Sequence, residues 1–197
     1  MTMSDIAKYT FIGGKKLKKF SLRVAGITRE LPIIRINEKL SIASFVIIGD
    51  TEIICACAQE IVKRMPDVDI LVTAEAKGIS LTFEISRLLN MKKFIVVRKS
   101  IKPYMESPIV DEAISITTQK KQILVLDKLD ALELKGKRAA IIDDVISTGE
   151  SLAAVERLVE AAGGIVAAKV AILAEGKASK RNDIIFLETL PIFNVLI

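Results

Sequence analysis

Between residues 68 and 187 the chain alternates short, β-branched apolar runs with amphipathic stretches of helical spacing, and this alternation narrows its possible folds more than any other feature. Residues 68–74 (VDILVTA) read as a strand, 79–89 as a helix, and 94–97 as the next strand after the polar turn 90–93. Residues 138–143 (RAAIID), 165–173 and 184–187 read as further strands. Leu152, Val155, Leu158, Val159 and Ala162 form the apolar stripe of a helix over 150–162, which Gly163 and Gly164 stop. Residues 114–117 and 123–126 read as two short strands separated by the polar turn 118–122. Continuous apolar strands alternating with helices predict an α/β fold, a mostly parallel sheet covered by helices on both faces. Residues 98–108 (RKSIKPYMESP), with their prolines and the cations Arg98, Lys99 and Lys102, suit neither element and are expected to form an exposed, mobile loop. Residues 1–45 read as mixed short elements that form a lid over the sheet.

The chain has no histidine, which removes Ser-His-Asp chemistry, HExxH metalloproteases and His-bearing zinc fingers. Any chemistry must therefore use carboxylates, lysines, hydroxyls or a metal brought by the ligand. With 197 residues, 51% of them hydrophobic, the chain can build a large core as a single domain over 1–197. No apolar run approaches the ~20 residues needed to cross a bilayer. Residues 1–10 lack the apolar stretch of a secretory signal, so the expected location is the cytoplasm, away from membranes. Cys55 and Cys57 stand two apart in a helical pattern with Ile54, Ala58, Ile61 and Met65. They point in nearly opposite directions, which suits small packing residues and neither a shared metal nor a disulfide. The net charge of +5 permits nucleic-acid binding and equally suits an enzyme of polyphosphate substrates. The basic run at 15–19 lacks interleaved aromatics and reads as a solvated face, so no nucleic-acid partner is expected.

Open α/β sheets bind ligands beyond the carboxyl ends of their strands. After the strand at 138–142 the chain runs Asp143, Asp144, Val145, Ile146, Ser147, Thr148, Gly149, Glu150 and Ser151 straight into a helix. The free N–H groups and positive end of that helix favour a phosphate, to which Ser147, Thr148 and Ser151 add hydroxyls. Gly149 lets the backbone approach an anion without a Cβ. The two aspartates suit sugar hydroxyls or the water shell of Mg²⁺, with no metal bound directly by the protein. Neither GxxxxGK[ST] nor a GxGxxG after a strand occurs, so ordinary nucleotide-loop folds lose ground. Together these features predict a phosphorylated sugar as ligand.

The stretch 140–151, AIIDDVISTGES, resembles the phosphoribosyl-pyrophosphate (PRPP) signature of the type I phosphoribosyltransferases. Residues 72–78, VTAEAKG, resemble the pyrophosphate loop of the adenine and xanthine enzymes, and Val97-Arg98-Lys99 resembles the start of their flexible catalytic loop. The resemblance covers 68–173 and implies a type I phosphoribosyltransferase fold in which a small hood, drawn from 1–45 and 175–197, binds the base. It implies transfer of a 5-phosphoribosyl group from PRPP to a purine base with release of pyrophosphate, using Mg²⁺, in a homodimer. Carried over by position, Asp143 and Asp144 hold the ribose, and Val145, Ile146, Ser147, Thr148, Gly149, Glu150 and Ser151 wrap the 5-phosphate. Glu75, Ala76, Lys77 and Gly78 form the pyrophosphate loop, and Arg98, Lys99 and Lys102 cover it. Two departures stand out: Lys77 replaces the usual arginine, with loss of the bidentate fork, and Thr117 falls where adenine enzymes tend to carry a glutamate. Adenine is the expected base, with xanthine and hypoxanthine/guanine as alternatives. A PRPP-sensing regulator built on the same domain is the reading from another class.

Overall fold

The computed structural model describes residues 9–12, 15–114 and 121–194, with side chains described over 18–112 and 123–194. The described residues open with β1 (Tyr9–Ile12), β2 (Lys15–Val24), β3 (Ile27–Arg35) and β4 (Leu40–Ala43), each antiparallel to the one before. Ala25 and Gly26, with φ of 49° and 79°, make the two-residue turn between β2 and β3 that matches the twist of paired strands. Where mixed short elements are expected over 1–45, the described residues form this four-strand meander. Leu22 and Val24 are buried while Ser21 and Arg23 are exposed, a period of two that the lysines at 15–19 obscure in the sequence.

Helix α1 (Thr51–Val62) starts on Asp50, whose carboxylate accepts the Ile53 amide at 3.3 Å and pairs with Arg29 at 2.7 Å. Cys57 is fully buried in the core and Cys55 lies beside it, as the spacing predicts; burial pushes the Cys57 thiol up to about 12. The chain continues through β5 (Ile70–Ala74), α2 (Gly78–Leu88), β6 (Ile95–Val97), β7 (Ile109–Ile114) and β8 (Lys121–Leu126). It then passes through α3 (Lys128–Leu134), β9 (Arg138–Ile146), α4 (Glu150–Ala161), β10 (Ile165–Glu175), a 3₁₀ turn (Gly176–Lys180), β11 (Ile185–Leu190) and β12 (Ile192–Asn194). No helix among the described residues is long and apolar enough to cross a membrane.

Strands β11, β10, β9, β5 and β6, in that order, form a parallel sheet, and β12 joins β4 at the edge of the antiparallel sheet. Successive residues of the central strands go to opposite cores. Leu71, Ala140 and Ile142 pack with α1, α2 and the antiparallel hood, whereas Ile70, Val72, Ala139 and Ile141 pack with α3 and α4. Burial on both faces is the reason these strands read as continuous apolar runs. The expected strand at 114–117 overlaps the described residues only at Ile114, where it coincides with β7, which pairs with β8; 115–120, including most of the expected turn, lie outside the described residues. Acidic Asp111 and Glu112 hid β7 from a hydrophobic pattern, and Asp111 turns to Arg157 of α4 at 2.6 Å. Helix α3 was not expected either; seven residues are too few for a clear period, although Asp127 caps it by accepting the Lys128 amide at 2.9 Å.

Candidate active site

The chain visits β5, then β6 on one side, and only later inserts β9 on the other side of β5. The segments leaving β5 and β9 therefore diverge at the point where the strand order reverses, which opens a crevice in the sheet's carboxyl edge. Pairing of β5 with β9 stops at Thr73 and Ile142, while β9 runs on beside β10 as far as Ile146. Asp143 and Asp144 thus lie within β9, not after it, on the stretch that has lost its β5 neighbour. This corrects the strand end read at residue 143.

Asp144 is buried and receives Lys77 Nζ at 2.5 Å, so the segment after β5 closes onto the aspartates across 67 residues of sequence. Asp143 Oδ1 accepts the Asp144 amide at 2.9 Å. Burial raises the Asp143 carboxyl above the ordinary aspartate range; the neighbouring Asp144 charge adds to this and Lys77 opposes it. Gly78 opens α2 directly against β9: a Cβ there would stand 2.3 Å from Thr73 Oγ1 and 3.2 Å from the Ile142 carbonyl. Only glycine lets this helix start so close to the strand.

Helices α1 and α3 are capped by Asp50 and Asp127, but α2 and α4, which begin at the crevice, have no side-chain cap. The amides of Ala76, Lys77 and Gly78 and those of Gly149, Glu150 and Ser151 donate to no described group. Two sets of free N–H donors and two positive helix ends border one crevice, an arrangement that receives anions. Gly149 has φ of 84°, the left-handed turn that glycine makes without strain. Ser147 and Gly149 are partly buried, and Thr148, Glu150 and Ser151 are exposed. Val145 packs at the edge of the hood-side core and the Ile146 side chain is buried with α4, so within this stretch these two can offer only backbone groups to a ligand.

The cationic segment joins from the other side. Arg98 exchanges backbone hydrogen bonds of 2.8 Å with Val125, so the segment begins tied to β8 instead of leaving freely as a loop. Glu75 fastens it to the crevice: one oxygen accepts the Lys99 amide at 2.7 Å and the other faces Arg98 Nε at 3.0 Å. The Lys99 amide, aided by the Arg98 and Lys102 charges, holds the Glu75 carboxyl below its usual range. Lys102 Nζ donates to Ser100 at 2.6 Å, and Arg98 Nη1 meets Tyr104 at 3.2 Å. Glu75 is thus a strut between two loops as well as a neighbour of the uncapped start of α2. Thr117 lies outside the described residues.

Sequence reasoning overlooked Glu175, the last residue of β10. It is buried, and burial raises its carboxyl while a hydrogen bond to Ser147 and the Lys77 charge pull it back. An acid ending an apolar run was the signal that revealed Asp143 and Asp144, and it went unread because the strand was ended at residue 173. Among the described residues no cluster of three or more acids or cysteines could hold a metal by itself.

A family model described as the phosphoribosyl transferase domain matches residues 51–194. The chain is similar to an adenine phosphoribosyltransferase of Methanococcus maripaludis, 34% identical over 62% of this chain and 69% of the relative. It is also similar to a hypoxanthine/guanine phosphoribosyltransferase of Ferroglobus placidus, 32% identical over 58% of this chain but little more than half, 57%, of that relative. A crystal structure of adenine phosphoribosyltransferase from Thermoanaerobacter pseudethanolicus superposes with a TM-score of 0.65 at 23% identity, over 81% of this chain and 95% of that one. The Trypanosoma brucei adenine enzyme, solved with AMP, pyrophosphate and ribose-5-phosphate, gives 0.56 at 20% identity over 74% of this chain and 66% of that one. Sheet order, hood and matched sequence agree that the chain belongs to the phosphoribosyl transferase domain family and has the type I fold.

Proposed function

We propose that this protein transfers the 5-phosphoribosyl group of PRPP to a purine nitrogen, with adenine as its base, and releases pyrophosphate. The observation that carries the reading is the meeting of two uncapped helix starts with the Asp143–Asp144 pair at one crevice. PRPP has a matching pattern of charge: a 5-phosphate, a ribose diol and a pyrophosphate. The segment 147–151 takes the 5-phosphate, Asp143 and Asp144 take the ribose hydroxyls, and the amides of Ala76, Lys77 and Gly78 take the pyrophosphate. As the bond to pyrophosphate breaks, the ribose becomes oxocarbenium-like and negative charge grows on the leaving group. Lys77, Arg98, Lys99 and Lys102 oppose that growing charge, and preorganised charge of this kind is usually the largest catalytic contribution. The carboxylates of Asp143 and Asp144 are the hard oxygens that Mg²⁺ prefers, and two of them without a third ligand suit an ion held through water and substrate. Bound with PRPP, Mg²⁺ supplies further neutralisation of the departing pyrophosphate.

Adenine is preferred because the first relative named above acts on adenine by name and aligns over more than two thirds of its own length. Hypoxanthine or guanine is the second reading, favoured by relatives so named at 32% and 35% identity. The purified protein should be incubated with PRPP, Mg²⁺ and, separately, adenine, hypoxanthine, guanine, xanthine and orotate, with nucleotide and pyrophosphate measured. Mg²⁺-dependent AMP formation faster than any other product is expected. Faster formation of IMP or GMP would transfer the assignment to the second reading. PRPP binding with no nucleotide from any base, together with a gel shift of DNA, would favour a regulator; the described residues before Asp50 are strands and connections without a helix to read DNA.

A further inference from the structure

The segment that follows β10 borders the anion loop from the side opposite α2, and it carries an arginine whose charge has no assigned task. Arg181 Nε and Nη2 both bind Asp183, at 2.8 and 2.7 Å, and Asp183 is also approached by Lys169 Nζ at 3.3 Å. The two cations hold the Asp183 carboxyl far below its ordinary range. Nη1 of Arg181 donates to no described residue and stands over the anion loop: a Cβ on Gly149 would lie 2.5 Å from it. The glycine therefore leaves room for the guanidinium as well as providing the left-handed turn. The end of β10 itself touches the loop a second time, where Glu175 meets Ser147.

We propose that Arg181 is a further phosphate-binding residue, whose Nη1 completes the 5-phosphate site from the β10 side, with Asp183 as the positioning residue that fixes its plane. The proposal rests on the assignment of 147–151 to the 5-phosphate. A guanidinium held through two nitrogens presents the third in a set direction, and it keeps its charge at any working pH. An arginine serving only to staple residues 181 and 183 together would have no need to face the uncapped end of α4.

Ribose 5-phosphate, PRPP and pyrophosphate are titrated by calorimetry against the native chain, Arg181→Gln, Arg181→Lys and Asp183→Asn. Arg181→Gln should weaken ribose 5-phosphate and PRPP by about 10- to 100-fold, the range for a hydrogen bond to a charged group, and leave pyrophosphate binding unchanged. Arg181→Lys should recover part of the loss, and Asp183→Asn should fall between the native chain and Arg181→Gln. Equal loss for pyrophosphate and ribose 5-phosphate would mean a purely structural role and would overturn the proposal. So would unchanged ribose 5-phosphate binding in Arg181→Gln. A native chain that binds PRPP but not ribose 5-phosphate would sink the loop assignment with it, whereas failure of Arg181→Gln alone would leave that assignment standing.

Discussion

Asp144 is buried and its described ion-pair partner is Lys77, so the crevice balances one acid within β9 against one base from the segment after β5. Asp144→Asn removes the charge that orients Lys77 and, in the proposed site, the ribose hydroxyl, while the amide keeps the shape. PRPP affinity should fall by about 10- to 100-fold with the circular dichroism spectrum unchanged; retained affinity and turnover in both this variant and Asp143→Asn would remove the ribose assignment. Asp143 carries a different consequence. Its folded-state value is raised, so on titrating upward the unfolded chain ionises first and the folded chain lags. The resulting penalty on stability is absent below about pH 4, where both states are protonated, grows through neutral pH, and levels off above the raised value. In the ligand-free protein Asp143→Asn should therefore raise the melting temperature at pH 8 relative to its effect at pH 4. A difference of about 1 kcal/mol would appear as about 2–4 °C for a chain of this size, and a gain confined to acid pH would contradict the sign. At this scale the sequence exposed Asp143, Asp144 and Lys77 by type and order, but the contact of Lys77 with Asp144 spans 67 residues and no local pattern encodes it.

At the scale of elements, the start of α2 depends on one missing Cβ. Gly78→Ala would drive a methyl against Thr73 Oγ1, which can retreat only by rotating a fully buried side chain, and against the Ile142 carbonyl, which cannot move without shifting β9. Overpacking of this kind costs about 1–3 kcal/mol, to be read from the denaturant midpoint, and the displaced amides of 76–78 should weaken pyrophosphate binding in parallel. An unchanged midpoint would mean that α2 can slide along the sheet. The cationic segment gives a second test. Its first two amides are already bonded, Arg98 to Val125 and Lys99 to Glu75, at 2.8 and 2.7 Å. Hydrogen exchange should be slow there in the free protein and should slow at 100–107 only when PRPP and Mg²⁺ are added, as the cations gather on a polyanion. Exchange at 100–107 that ignores the ligands would exclude closure of this segment. The helices α2 and α4 were legible because their apolar stripes have a period, whereas β7 was not, because two of its residues are the acids Asp111, paired with Arg157 of α4, and Glu112.

At the scale of the whole molecule, hood and parallel sheet share one core. Leu22, Val24, Leu31 and Phe45 pack in the same cluster as Ile53 of α1, Leu81 of α2 and Ile172 of β10, and Phe20 meets Phe193 at 5.8 Å edge to face. The chain should therefore unfold in a single step, with the same midpoint by tyrosine fluorescence and far-ultraviolet circular dichroism; separate midpoints would make the hood an independent domain. The sequence by itself determined the strand and helix character of the central region, since burial on both faces demands continuous apolar runs and a covered helix demands a periodic stripe. It also marked 143–151 as the candidate anion loop, because hydroxyls, glycine and paired acids are recognisable there from their immediate neighbours. Only the tertiary structure decided that the segments after β5 and β9 face each other, that Glu175 leans on Ser147, and that Arg181 stands over Gly149. These depend on the order in which strands enter the sheet, and strand order is a choice among long-range pairings of similar local sequence, which no window of neighbouring residues can contain.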